Sequence, residues 1–134
     1  MSPVTPRSLF VLYVADQARS RAFYAVALGR EPTLDVPGMT EFPLPGGAWL
    51  GLMPERGIVR LLGAAIRDPA TAAGAPRAEL YLVVDDPGAA LARAVGAGGR
   101  EVSPLLERDW GDRAGYCLDP DGHVLAFGAP IARG

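Results

Sequence analysis

Short apolar runs broken by polar, glycine- and proline-rich segments recur along the chain, and their spacing predicts alternating strands and helices. Leu9 to Val14 is an apolar run of strand length. Asp16 follows as a helix N-cap, because a carboxylate there accepts from the first unpaired backbone amides. Ala18, Ala22, Phe23 and Val26 then fall at helical spacing, and Gly29 supplies the stop. Further strands are expected at Glu31 to Val36, Met39 to Leu44 and Ala48 to Met53, with Pro37-Gly38 and Pro45-Gly46-Gly47 as turns.

The pattern then repeats. Phe10 to Glu31 and Leu80 to Glu101 match when slid by 70 residues, with Val14/Val84 and Asp16/Asp86 at one end and Gly29-Arg30-Glu31 against Gly99-Arg100-Glu101 at the other. In the second copy Asp86 is the cap, Pro87 the first helical residue and Gly98-Gly99 the stop. Arg100 to Ser103 leads through a polar loop to a strand at Arg113 to Leu118. Asp119-Pro120-Asp121-Gly122 is a turn, and His123 to Gly128 is the last strand. Residues 54–78 are rich in Pro, Gly and Ala and read as a connector. The expectation is one α+β domain over 1–134, built of two tandem βαβββ modules (8–53 and 79–128) that form a curved mixed sheet.

Period-two alternation divides each strand into two rows. Phe10, Leu12 and Val14, with Leu80, Leu82 and Val84, are expected beneath the helices, as are Leu50, Leu52, Leu125 and Phe127. The opposite rows carry Leu9, Val11, Tyr13, Trp49, Met53, Tyr81, Val83 and Val124, with Glu79 as their charged member. A second face this apolar is covered by a second core, closed by another copy of the chain, or hollowed into a pocket.

Composition narrows the function. Thirteen Lys plus Arg against fifteen Asp plus Glu leave a formal charge of -2, which excludes a strongly basic nucleic-acid binder. One cysteine permits neither an internal disulfide nor a Cys-based zinc finger, and one histidine permits no all-His metal site. No apolar run approaches the roughly 20 residues of a membrane helix, and Met1 to Ser8 carries no readable signal peptide. The expectation is a cytoplasmic protein with neither nucleic-acid nor membrane partners.

Val14-x-Asp16, Arg19-Ser20-x-x-Phe23-Tyr24 and Leu28-Gly29 together resemble the opening of the vicinal oxygen chelate superfamily, which includes glyoxalase I, extradiol dioxygenases and bleomycin-resistance proteins. Asp119-Pro120-Asp121-Gly122-His123 resembles its closing turn, and Asp109-Trp110-Gly111 resembles a segment of its antibiotic-binding branch. The resemblance implies the glyoxalase/bleomycin resistance fold, with the sheet wrapped around a concave pocket. Enzymes of this superfamily hold a divalent metal at four places, which by motif fall here on Leu9, Gly51, Glu79 and Ala126. Glu79 alone among these offers an oxygen, so neither a metal nor another cofactor is expected.

What the resemblance then implies is metal-independent binding or sequestration of a small planar or aromatic molecule, similar to bleomycin- or mitomycin-type resistance proteins, by a homodimer. Tyr13, Trp49, Met53, Glu79, Tyr81, Trp110 and Arg113 are the candidate ligand-binding residues. Glu79 is expected to accept from a Tyr or Arg side chain, to pair with Arg113, or to meet a cationic ligand. The alternative is a glyoxalase- or dioxygenase-type enzyme with Glu79 as catalytic base and Arg113 as its oxyanion partner. A third reading is a structural dimer module that occludes this face. His123 is read as a surface or turn-stabilising residue, and Cys117 as a half-buried, unreactive thiol.

Overall fold

The computed structural model describes residues 5–132; the two ends of the expected domain, residues 1–4 and 133–134, lie outside the described residues. The chain forms β1 (Leu9–Val14), α1 (Gln17–Leu28), β2 (Leu34–Val36), β3 (Met39–Pro43), β4 (Trp49–Pro54) and α2 (Glu55–Leu62). It continues through β5 (Glu79–Val83), α3 (Pro87–Gly96), β6 (Arg100–Glu107), β7 (Asp112–Leu118) and β8 (Val124–Pro130). These build two four-stranded mixed sheets in the orders β1-β4-β3-β2 and β5-β8-β7-β6. In each, the first strand runs parallel to the last, and the other pairings are antiparallel. The architecture is the expected α+β duplication, with the strands divided between two sheets and no closed barrel.

Local chemistry explains why the two long helices start alike. Asp16 accepts from Arg19 N at 3.0 Å and Asp86 from Ala89 N at 3.0 Å, each satisfying one orphan amide of its helix. Gly29 ends α1 in the left-handed conformation, at φ 70°. The helices pack on one side of the sheets and against each other, around Phe23, Tyr24, Leu50, Leu52, Leu91, Leu125 and Phe127.

Several expectations are corrected. The buried stripe of α1 is Ser20, Phe23, Tyr24 and Ala27, while Ala18, Ala22 and Val26 face solvent. The helix turns its bulkier aromatic pair inward, Phe23 and Tyr24 meeting edge to face with ring centroids 5.0 Å apart. The segment 54–78 contains α2, whose Ile58 is buried, and is therefore more than a connector. Strand β2 is only Leu34–Val36, shorter than the run from Glu31. Strand β6 continues past Ser103 to Glu107, with shifts of register around Ser103 that admit Pro104. Phe10 is 63% exposed and not beneath a helix, because β1 is an edge strand. Cys117 is fully buried, which pushes its thiol up to about 11.

The closing turn does more than reverse the chain. Gly122 N donates to Asp119 O at 3.0 Å, with Gly122 at φ 88°, as the turn chemistry requires. The two aspartates then reach into the first module. Tyr24 Oη donates to Asp119 Oδ2 at 2.6 Å, Ser20 Oγ to Asp121 Oδ2 at 3.2 Å, and Ala15 N to Asp121 Oδ1 at 2.9 Å. Both carboxylates are buried, and this polar seam ties the modules in one relative placement.

Candidate functional site

Strand register shows which side chains share the face away from α1 and α3. In the first sheet Leu9, Val11 and Tyr13 stand beside Trp49, Gly51 and Met53, and the β3 neighbours of Gly51 and Trp49 are Glu41 and Pro43. In the second, Glu79, Tyr81 and Val83 stand beside Val124, Ala126 and Gly128, whose β7 neighbours are Leu118, Tyr116 and Ala114. Asp112 extends that β7 row by alternation.

The firmest constellation lies on the second sheet. Trp110, in the tight β6–β7 turn, donates its indole N–H to Tyr81 Oη at 3.0 Å, and Tyr81 donates to Asp112 Oδ2 at 2.7 Å. Both bonds orient the aromatic pair, whose ring centroids are 6.4 Å apart. Burial, opposed by the Trp110 hydrogen bond and reinforced by Asp112, raises the Tyr81 pKa above its usual 10.0, so the phenol keeps its proton. The Trp110 ring nevertheless remains 58% exposed, an indole held in place with a face toward solvent.

Next to it, the Arg108 guanidinium lies 5.2 Å from the centre of the Tyr116 ring. Its Nη2 donates to Ser103 Oγ at 2.8 Å, Pro104 O at 2.8 Å and Ala114 O at 2.9 Å, which locks the stack. The Tyr116 pKa is raised, by burial first and then by the Glu79 charge. On the first sheet, Arg7 donates to Glu41 Oε1 at 3.0 Å and lies 4.9 Å from the Trp49 ring centre. Met53 lies under the start of α2, since a Cβ on Gly57 would stand 3.6 Å from Met53 Cγ.

Of the seven candidate residues, six therefore share the face away from α1 and α3: Tyr13, Trp49 and Met53 on one sheet, with α2 over Met53, Glu79 and Tyr81 on the other, and Trp110 in its loop. Arg113 does not. Alternation puts it on the opposite row from Asp112 and Tyr116, paired in register with Ala129 and Glu107, so it is neither a partner of Glu79 nor an oxyanion donor beside it. Sequence reading missed Arg108, Asp112 and Tyr116. The Asp112/Ala114/Tyr116 alternation carried the signal for two of them, once β7 is started one residue earlier.

The residues present do not fit a metal. At the places where the superfamily's enzymes carry ligands, a Cβ on Gly51 would meet Met39 Sδ and Val11 Cγ2 at 3.2 Å and Leu9 Cδ1 at 3.5 Å. Those are apolar atoms packed over the strand. Ala126 is fully buried beside Tyr81 and Tyr116. Among the described residues, no three His, Cys, Asp or Glu side chains converge.

His123 departs from its expected surface position. It remains part of the turn, its N–H donating to Asp119 Oδ1 at 2.9 Å, but it is only 3% exposed. It lines a cleft of about 390 Å³ between β1 and β5.

The chain belongs to the glyoxalase/bleomycin resistance protein/dioxygenase superfamily, whose family model matches residues 8–127. It is 32% identical over 111 residues to an uncharacterised protein of Mycobacterium bovis, covering 83% of this chain and 71% of that one. A Mycobacterium tuberculosis relative matches equally at 32% identity over 83% of this chain, which spans 64% of that protein's length. Among solved structures, a glyoxalase-related enzyme from Fulvimarina pelagi superposes with a TM-score of 0.77 at 23% identity, over 96% of this chain and 94% of that one. A family enzyme from Burkholderia phytofirmans gives a TM-score of 0.78 at 17% identity, over 92% and 98% respectively. Among the described residues, no helix is long and apolar enough to cross a membrane.

Proposed function

We propose that the face away from α1 and α3 binds and sequesters a small planar organic molecule without a metal, in the manner of bleomycin- or mitomycin-type resistance proteins. The observation that carries this reading is the Trp110–Tyr81–Asp112 chain, which holds an exposed indole in a fixed orientation. An aromatic ring fixed before binding loses little entropy when a flat ligand stacks on it. Arg108 on Tyr116 and Arg7 on Trp49 frame the face with two more cation-bearing aromatic surfaces. Two copies of the chain pairing with these faces toward a shared seam would bury the apolar rows of β1 and β5.

Titration calorimetry against a panel of planar antibiotics, with and without EDTA, tests the proposal. Saturable binding that survives EDTA and weakens at least about tenfold in Trp110→Ala, or ~1.4 kcal/mol, is the expected result. Binding that needs a divalent ion would overturn it. So would turnover of a hemithioacetal or catechol lost in Glu79→Gln, which would establish the enzymatic alternative.

A further inference from the structure

A second hollow opens on the helix side of the sheets, between the C-terminal end of α1, the middle of α3 and the connection from β3 to β4. It measures about 250 Å³, at the small end of ligand-sized cavities. Its floor is the core itself: Ala27, Leu44, Leu82, Ala90 and Phe127, all buried and drawn from both modules. It has Leu44, Pro45 and Leu82 in common with the β1–β5 cleft, but none of the seven candidate residues of the aromatic face lines it.

Two exposed arginines rim this apolar floor, Arg30 just after α1 and Arg93 on α3. The end of α1 fixes the backbone of Arg30. Gly29 N donates to Val26 O at 3.1 Å and Arg30 N to Ala25 O at 3.0 Å, the two bonds that close a helix through a left-handed glycine. Arg93 approaches the same place from the other module. A Cβ on Gly29 would stand 4.0 Å from both Nε and Nη2 of Arg93, so its guanidinium lies against the residue that precedes Arg30.

Neither arginine has a carboxylate within ion-pairing distance among the described residues. Glu31 is taken by Arg21 at 2.9 Å, and Asp86, at the head of α3, accepts from the Ala89 amide at 3.0 Å. Asp85 lines the adjoining groove with Val83 and Pro130. Two guanidinium groups at one rim favour an anion, and their planar forks match a carboxylate. The apolar floor in turn rewards an alkyl tail.

We propose that this hollow binds a small monocarboxylate with an aliphatic tail, its carboxylate held by Arg30 and Arg93 and its tail laid over Leu44, Leu82 and Phe127. One arginine follows α1 and the other lies on α3, so the ligand bridges the two modules. Binding here is independent of a planar ligand at Trp110.

Amide ¹H–¹⁵N spectra at pH 7 read the site. The probes are hexanoate, acetate, which has almost no tail, and hexan-1-ol, which has no charge. Hexanoate is expected to shift the Gly29, Arg30 and Ala90 amides in a saturable way. It is expected to bind at least about tenfold more tightly than acetate or hexanol. Arg30→Gln and Arg93→Gln, both at exposed positions, are each expected to weaken hexanoate severalfold while leaving the thermal transition in place. No saturable shift at these amides would overturn the proposal and leave Arg93 only as a counter-charge to the C-terminal end of α1. Equal affinity for hexanoate and either control, or unchanged affinity in either variant, would overturn it as well. So would shifts confined to the Tyr81 and Trp110 amides, since hexanoate would then occupy the aromatic face. Planar binding is read at Trp110, so either reading can fail alone.

Discussion

Tyr24 on α1 and Asp119 in the closing turn are separated by 95 positions, yet the phenol donates to the carboxylate across 2.6 Å in a buried setting. The other oxygen of Asp119 accepts from the backbone N–H groups of Asp121 and His123, each at 2.9 Å. One carboxylate therefore shapes the turn and ties it to the first module. Tyr24→Phe leaves Asp119 Oδ2 buried without this donor, which costs roughly 1–3 kcal/mol. Urea unfolding is expected to show a lower midpoint with an unchanged slope.

Alkali should loosen the fold before it damages the chain. Burial raises the Cys117 thiol from 9.0 to about 11, and burial together with Asp119 raises Tyr24 well above 10.0. In both cases the folded form holds its proton more tightly than the unfolded one. The stability each group contributes is complete below its unfolded pKa and is lost as pH climbs toward the folded value. The Cys117 share, on the order of 2–3 kcal/mol, is expected to vanish from the pH dependence in Cys117→Ala between about pH 9 and 11. Thermal melts at stepped pH measure it.

The acid side carries the opposite sign. His123 has a folded pKa below 6.5, so the unfolded chain binds the proton more readily and stability falls as pH drops below 6.5. Asp119, Asp121 and Glu55 limit the effect and Arg77 adds to it. His123→Gln, which cannot titrate, is expected to flatten the stability profile between about pH 6.5 and 5 in the same melts.

Gly128 makes room for the Tyr81 ring. A Cβ there would stand 2.5 Å from Tyr81 Oη and 3.0 Å from Cζ, with Arg113 O at 3.3 Å. Gly128→Ala is expected to push the phenol off its line between Trp110 and Asp112. In a Trp49→Phe background, which leaves Trp110 as the sole indole, the emission should shift red. Planar-ligand affinity should fall about tenfold. An unchanged spectrum would mean that the ring tolerates the methyl.

Near-neighbour chemistry was legible in the sequence. Asp16, Gly29, Asp86 and Pro87 mark helix ends through contacts within a few residues, and the slide of 70 positions exposes the duplication. Alternation assigned Leu50, Leu52, Leu125 and Phe127 to the core and Tyr13, Trp49 and Tyr81 to the other face. It failed at Phe10, because a period of two cannot distinguish an edge strand from a central one. The pairing of Arg113 with Glu79 rests on charge alone, and alternation along β7 already sets the two side chains on opposite rows. Helix α2 stayed hidden behind Pro54, Gly57 and Gly63, which punctuate its pattern of Ile58, Val59 and Leu62. The stacks of Arg7 on Trp49 and Arg108 on Tyr116 depend on approaches that no local pattern encodes.

The packing over Gly51 sets what an ion-holding variant of this chain would need. A carboxylate introduced at that position would crowd the thioether of Met39 and the methyls of Val11 and Leu9, which would have to give way above it. Acquiring an ion-holding pocket would require trimming those neighbours and installing donors at Leu9 and Ala126 in concert. A chelating variant of this chain would therefore have to begin at Met39, Val11 and Leu9 rather than at Gly51 itself.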